Sequence, residues 1–338
     1  MLHEKGTAAD GSPHRRPEEH APSDVTAVVL TYLRPGLAGD AVRGLLEREH
    51  LEPDRVVVVV NGAGGLDDPV LEDMVRMVRL PRNTGPAGGF RAGLLEAFDD
   101  RRTGWAYLCE DDVGLFDLPT PRLPDLMGRV AALTSGTSVD GPPRPVGAVV
   151  AYGRTFVGRG AHTVNVVPAA GGGQELTPVD VACWGATVVS RDVVVAGVLP
   201  DPELFFGLED FDFFCRVREA GFEVLLDDVA ARSVGPQQTN AGRDSAIGHR
   251  RPTDAAESWR AYYHARNSFA LARRHGRPSW MLWHVAYSAR HLQKARSGAE
   301  RTAILHGLWD GVRGRLGENP RYRREVGELD PGARSGRD

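Results

Sequence analysis

Apolar runs of strand length at 25–30, 55–60 and 105–109, with a further strand candidate at 75–80, alternate with helix-like segments through the first third of the chain. Segments 37–50 and 87–98 between them read as helices, the second after a glycine-rich turn. Runs that are apolar on both faces and alternate with helices imply parallel βαβ units in a doubly wound sheet. Further strands are expected at 146–151 and 186–190, helices at 255–275 and 279–316, and loops at 136–145, 158–173 and 235–251. Long loops in compact domains are usually lids or disordered.

Polar residues gather where each run ends. Thr31, Tyr32 and Arg34 follow the first, Asn61 the second, Asn83 the third, and Glu110, Asp111 and Asp112 the fourth. Open α/β sheets bind ligands beyond the carboxyl ends of their strands. Loops are polar in any case, which accounts for Asn61 alone but poorly for three adjacent carboxylates. Those repel one another unless a cation joins them. Hard oxygen ligands suit Mg²⁺ or Mn²⁺ holding a diphosphate, with Glu110, Asp111, Asp112 as the ligands.

The segment from Asn83 to Gly93 joins a tight turn to a helix start. Gly88 and Gly89 permit close backbone approach, and free N–H groups there favour anions. Arg91 is a phosphate partner or a surface cap. The segment is neither a dinucleotide fingerprint nor a P-loop. Downstream, Glu209, Asp210 and Asp212 open a helix directly after Phe205-Phe206-Gly207-Leu208. Acids at a helix N-terminus are stabilised by its dipole, and Asp212 with Arg216 is an i,i+4 pair. A base held in an apolar mouth, with its pKa raised by desolvation, also accounts for the preceding aromatics. Trp184, followed by Gly185, either stacks on a sugar ring or fills core.

In this order the motifs resemble family 2 glycosyltransferases with the GT-A fold. The matching features are Thr31-Tyr32-Leu33-Arg34-Pro35, the strand ending at Asn61, the Asn83–Gly89 turn and the D-x-D-type Glu110-Asp111-Asp112. Trp184-Gly185, Glu209-Asp210 with Asp212 and Arg216, and Tyr262-Tyr263 with Arg266-Asn267 complete the series. The resemblance spans about residues 24–275, nearest to bacterial rhamnosyl- and galactofuranosyl-transferase-like members. It implies a mixed, mostly parallel sheet flanked by helices, with a helical C-terminal extension. Thr31, Tyr32, Arg34 and Asn61 would line the nucleotide pocket. Asn83, Gly88, Gly89 and Arg91 would approach the ribose and diphosphate, and Trp184 and Gly185 the acceptor. Asp112, with Glu110 or Asp111, would hold the metal. Asp210 would deprotonate the acceptor hydroxyl, positioned by Glu209 and Asp212, in a single inverting displacement from a UDP- or dTDP-sugar. The acceptor would be a cell-envelope glycan, a lipid-linked glycan or a small natural product.

The chain departs from that family at three points. Val60 and Gly62 flank Asn61 where many members carry an acid. Ser233 lies in the stretch where many carry a metal-binding histidine, leaving His249 as a substitute. The Gln-x-x-Arg-Trp motif of processive members is absent, which favours transfer of one or a few sugars. A sugar-phosphate nucleotidyltransferase would want more basic residues after the first strand than Arg34. A catalytically inactive sugar- or nucleotide-binding homologue is the non-enzymatic alternative.

Within 338 residues, the segmentation reads as a disordered leader (1–23), a catalytic domain (24–254, divided at 112) and a helical extension (255–329) with a disordered tail (330–338). No apolar run of membrane-spanning length exists and no signal-peptide core opens the chain, so a cytoplasmic location is expected. Cys109, Cys183 and Cys215 read as buried free thiols. Net charge is −4, but from residue 241 onward 19 Lys and Arg face 10 Asp and Glu. Such a basic region suits an anionic membrane surface or acceptor, or simply a solvated helical face. No nucleic-acid partner is expected.

Overall fold

A computed structural model of the chain describes residues 24–111, 122–135, 144–168, 175–238, 258–295 and 297–323. Strands β1 (Val25–Thr31) and β2 (Val56–Asn61) are buried along their whole length. They pair in parallel, from Ala27 opposite Val56 to Thr31 opposite Val60. Each fully buried valine contributes about 1.5–3 kcal/mol, so these strands anchor the molecule. Strands β3 (Arg76–Leu80) and β4 (Trp105–Glu110) continue the parallel pairing on either side. Helices α1 (Pro35–Glu47), α2 (Pro69–Met74) and α3 (Gly85–Asp99) make the connections. Proline starts all three within their first two positions, where its missing N–H would be unpaired anyway.

After α4 (Leu123–Ser135) come β5 (Val146–Val150), β6 (Gly153–Phe156), β7 (Thr163–Asn165), β8 (Leu176–Pro178), β9 (Val181–Ala182) and β10 (Thr187–Ser190). Helices α5 (Arg191–Val195) and α6 (Glu209–Glu219) lead to β11 (Glu223–Asp227) and α7 (Asp228–Gln238). The main sheet has eight strands in the order β3-β2-β1-β4-β10-β5-β11-β8, and β7-β6-β9 form a second, three-stranded sheet. Strand β10 runs antiparallel to both β4 and β5, while β11 pairs with β5 in parallel. The architecture is therefore mixed α/β, with a mostly parallel central sheet flanked by helices. Helices α8 (Ser258–Arg274), α9 (Pro278–Lys294) and α10 (Gly298–Arg313) follow. Leu271, Ala272 and Trp280 join the main core on one side of the sheet.

The first four strands fall within one or two residues of their expected positions. Strand β7 lies inside the 158–173 segment expected to be a loop, and α7 extends into the segment expected to be a loop from 235. The helical stretch expected at 279–316 is two helices, α9 and α10. Cys109 and Cys215 are buried free thiols as expected, whereas Cys183 is exposed.

Candidate active site

The parallel strands deliver their terminal side chains to one edge, and there they bond to one another. Thr31 Oγ1 donates to Asp111 Oδ2 at 2.7 Å, and Arg34 forms an ion pair with the same buried carboxylate. One of the three adjacent acids thus has its countercharge within the protein. Tyr32 stands partly exposed at the same edge, against Gly62.

Asn61 organises the turn that begins α3. Its Oδ1 accepts from the Thr84 amide at 2.8 Å and from Thr84 Oγ1 at 2.9 Å, and its Nδ2 donates to the Gly85 carbonyl at 3.0 Å. Asn83 Oδ1 accepts from the Gly85 amide at 2.9 Å. Both asparagines are thus engaged in holding this turn. Gly85 has φ +72°, and a Cβ there would collide with the Phe205 carbonyl oxygen. A β-carbon on Gly88 would meet Thr84, and one on Gly89 would meet Leu30. The three glycines thus bring α3 against the sheet and against the loop that precedes α6. Among the described residues Arg91 donates to the Pro200 carbonyl, at 3.5 Å.

That loop is held from its other side by α8. Asn267 Nδ2 lies within hydrogen-bond distance of the carbonyls of Leu204 (2.7 Å), Phe206 (2.9 Å) and Gly207 (2.7 Å). Arg266 Nη2 donates to the Leu204 carbonyl at 2.9 Å. Phe205 and Leu208 adopt positive φ of 57° and 68°; Leu208 is left-handed, a conformation that costs about 1–2 kcal/mol for a non-glycine residue. The clamp offsets this strain and carries the chain directly into Glu209 and Asp210.

Here the charge of Glu110, at the end of β4, acts on Glu209 at the start of α6. Glu209 is buried, and its Oε2 completes no hydrogen bond among the described residues. Burial pushes its carboxyl well above the ordinary range, and the charges of Asp210 and Glu110 push it further. The Trp184 indole lies close enough to favour the charged form, although its Nε1 completes no hydrogen bond. Asp210 keeps part of its surface accessible. Burial raises its pKa too, opposed by the Phe211 amide at 2.7 Å, the Cys183 thiol and the charge of Arg154. Arg154 is itself fixed by Thr163 Oγ1 at 2.8 Å and Asn165 Oδ1 at 2.9 Å. Cys183 and Arg154 were not singled out from the sequence. A lone cysteine and a lone strand arginine carry no signal until β6 and β9 pair and bring them to the same acid.

Other expected residues have different surroundings. Asp212 turns away from the cluster. It is fully buried and accepts from Arg216 Nε and Arg274 Nη1, both at 2.8 Å, with His275 Nε2 at 3.3 Å. Burial alone would raise its pKa, but His275 and the two guanidinium groups carry it below the ordinary value. The i,i+4 pair with Arg216 is realised within α6, and Arg274 ties the same carboxylate to α8. Trp184 fills core, its ring centroid 4.9 Å from Phe90, 5.3 Å from Phe213 and 5.7 Å from Phe214. Gly185, with φ +106°, turns the chain beside it. Asp112 and His249, both expected as metal ligands, lie outside the described residues. Among the described residues no three His, Cys, Asp or Glu side chains form a metal-binding group. No helix among them is long and apolar enough to cross a membrane.

No protein-family model matches the sequence, and no curated protein matches it. Among solved structures, the chain is similar to GalNAc-T7 with UDP, GalNAc and Mn²⁺, at TM-score 0.41 and 12% identity. That match covers 60% of this chain but only 42% of the other. It is also similar to S. aureus TarS 1-349, at TM-score 0.38 and 10% identity, covering 86% of this chain and 92% of that one.

Proposed function

We propose that the chain is a glycosyltransferase that moves a sugar from a nucleotide-diphosphate donor to an acceptor hydroxyl by single displacement with inversion. The observation that carries this reading is the buried Glu209 beside partly accessible Asp210 at the start of α6, with the charge of Glu110, at the carboxyl end of a parallel strand, acting on Glu209. The ordered motifs from Thr31 to Asn267 support it independently. Asp210 is the base. It is partly accessible, in contact with a thiol and near an arginine that favours its charged form, while buried Glu209 beside it is held towards neutrality. Asp210 removes the acceptor proton, the acceptor oxygen attacks the anomeric carbon, and the nucleoside diphosphate leaves. Thr31, Tyr32 and Arg34 border the donor side, with Arg34 paired to Asp111.

In this reading Glu110 and Asp112 are the metal ligands and the metal would offset charge on the leaving diphosphate. Asp111 is already neutralised by Arg34, so the described residues do not by themselves complete that ligand set. UDP- or dTDP-linked hexoses, as in rhamnosyl- or galactofuranosyl-transfer, are the donors to try first. A lipid-linked or envelope glycan or a small natural product is the acceptor, and the basic C-terminal region favours one presented at an anionic membrane.

The test is a thermal-shift panel of UDP, dTDP, GDP, CDP and ADP, each with and without Mn²⁺, followed by nucleoside diphosphate release from the matching sugar donor. A ligand of the native state raises the melting temperature by mass action. A shift with one nucleotide and release from its sugar are expected. Absence of any shift and any release would overturn the assignment.

A further inference from the structure

Helix α10 packs against α8 through Ala303, Ile304, Gly307 and Gly311, which are buried. Its opposite face is apolar where a solvated helix would be polar. Leu305 is 54% exposed, Trp309 56% and Val312 53%. These positions fall on one stripe at i, i+4 and i+7. Arg301 and Arg313 flank the stripe, and the Arg313 guanidinium lies 4.0 Å from the centre of the Trp309 ring. The acids of the helix point the other way. Glu300 is buried, and Asp310 Oδ2 accepts from Tyr262 Oη at 2.9 Å. The outward face is therefore apolar and basic without a compensating carboxylate of its own.

Helix α9 repeats the pattern, with exposed Leu282 and Val285 and exposed Arg290 and Lys294. From Ser258 to Arg323 the described residues hold twelve Lys and Arg against Glu300, Asp310 and Glu318. A helix face that combines tryptophan and aliphatic side chains with outward arginines suits an interfacial position, with its apolar stripe at the headgroup boundary and its arginines on anionic lipid.

We infer that the outer face of α10 docks on an anionic lipid bilayer, with Trp309, Leu305 and Val312 as the inserting side chains and Arg301 and Arg313 as headgroup contacts. The occupant is a membrane rather than a second copy of the chain because the face carries uniform positive charge, and two such faces would repel. This inference does not depend on the transfer reaction, so either can fail without the other.

The test is co-sedimentation of the full chain with phosphatidylcholine vesicles containing either no or half phosphatidylglycerol, at low and high salt. Binding is expected to the anionic vesicles at low salt only. Trp309→Ser is expected to weaken that binding about tenfold, the size of effect that losing a largely inserted aromatic side chain produces. Trp309 is mostly exposed, so the variant should keep the wild-type melting temperature. Arg301→Gln with Arg313→Gln should reduce the dependence on salt. No binding to anionic vesicles, or binding that Trp309→Ser leaves unchanged, would overturn the inference. So would light scattering that shows Trp309-dependent dimers without lipid.

Discussion

At the scale of single residues, the division of labour between Glu209 and Asp210 follows from their surroundings. Both carboxyls are raised by burial, but only Asp210 keeps accessible surface, and the Cys183 thiol and the Arg154 charge favour its ionised form. Asp210→Asn is expected to lower turnover by about 10²–10⁴-fold, the usual contribution of a general base, while donor affinity stays close to wild type. Steady-state rates beside a donor titration check this, and full turnover in the variant would remove Asp210 from the role. The base must be ionised to act, so kcat/KM should rise with pH through its raised pKa. Cys183→Ala removes one group that favours the ionised form and should move that acidic limb to higher pH. An unmoved pH profile would show that the thiol does not act on the base. The sequence displayed both acids together, and their apolar approach through Phe205 and Phe206 was legible. Arg154 was not, because its position depends on pairing between two strands of four and two residues.

At the scale of elements, the site depends on a short strained loop gripped from two sides. On one side Asn61 and Asn83 set the turn that places Gly85 against Phe205. On the other, Asn267 and Arg266 bind the loop carbonyls. Asn267→Leu would leave carbonyls of the loop without their donor, and losing partners of this kind costs about 1–3 kcal/mol. A lower melting temperature accompanied by a larger fall in turnover than in donor affinity is expected. A stability loss with unchanged turnover would separate the clamp from catalysis. Gly85→Ala should destabilise by about 1–2 kcal/mol from its left-handed backbone alone, and further because the Phe205 carbonyl must move. Denaturant unfolding measures it. β1, β2 and β4 were legible because each is a nearly continuous apolar run that buries both faces, whereas β3, at the edge of the sheet, is half-exposed and carries Arg76 and Arg79. β6 to β9 are two to four residues long and take their form from long-range pairing, so local pattern could not reveal them. Asp212 shows the same limit. Its bond to Arg216 lies within one helix and was visible, whereas Arg274 and His275 reach it only after α8 packs.

Across the whole molecule, buried ionisable groups of opposite kind set how stability varies with pH. His284 is fully buried with neither ring nitrogen bonded, and burial takes its pKa down to about 3. His264, beside it in the α8–α9 contact, falls to about 4 for the same reason. Both are neutral in the folded chain and take up protons more readily when it unfolds. Their contribution is therefore complete above an ordinary histidine pKa of about 6.5 and is lost as pH falls towards those lowered values, at up to about 1.4 kcal/mol per pH unit for each. The acidic pair works in the opposite sense. Glu209 and Asp210 bind protons more tightly folded than unfolded, so stability declines as pH rises from the ordinary carboxyl range through their raised values. Thermal unfolding from pH 4 to 9 should therefore show a maximum, with the acid side steepened by the histidines. Glu209→Gln removes a carboxyl whose ionisation burial opposes in the folded chain but not in the unfolded one. It should raise the melting temperature above wild type at pH 8, and the difference should shrink towards pH 4. An equal shift at both ends would mean that the gain comes from packing rather than charge. A variant more stable at high pH but slower in transfer would show that the fold accepts this buried acid for the sake of the site.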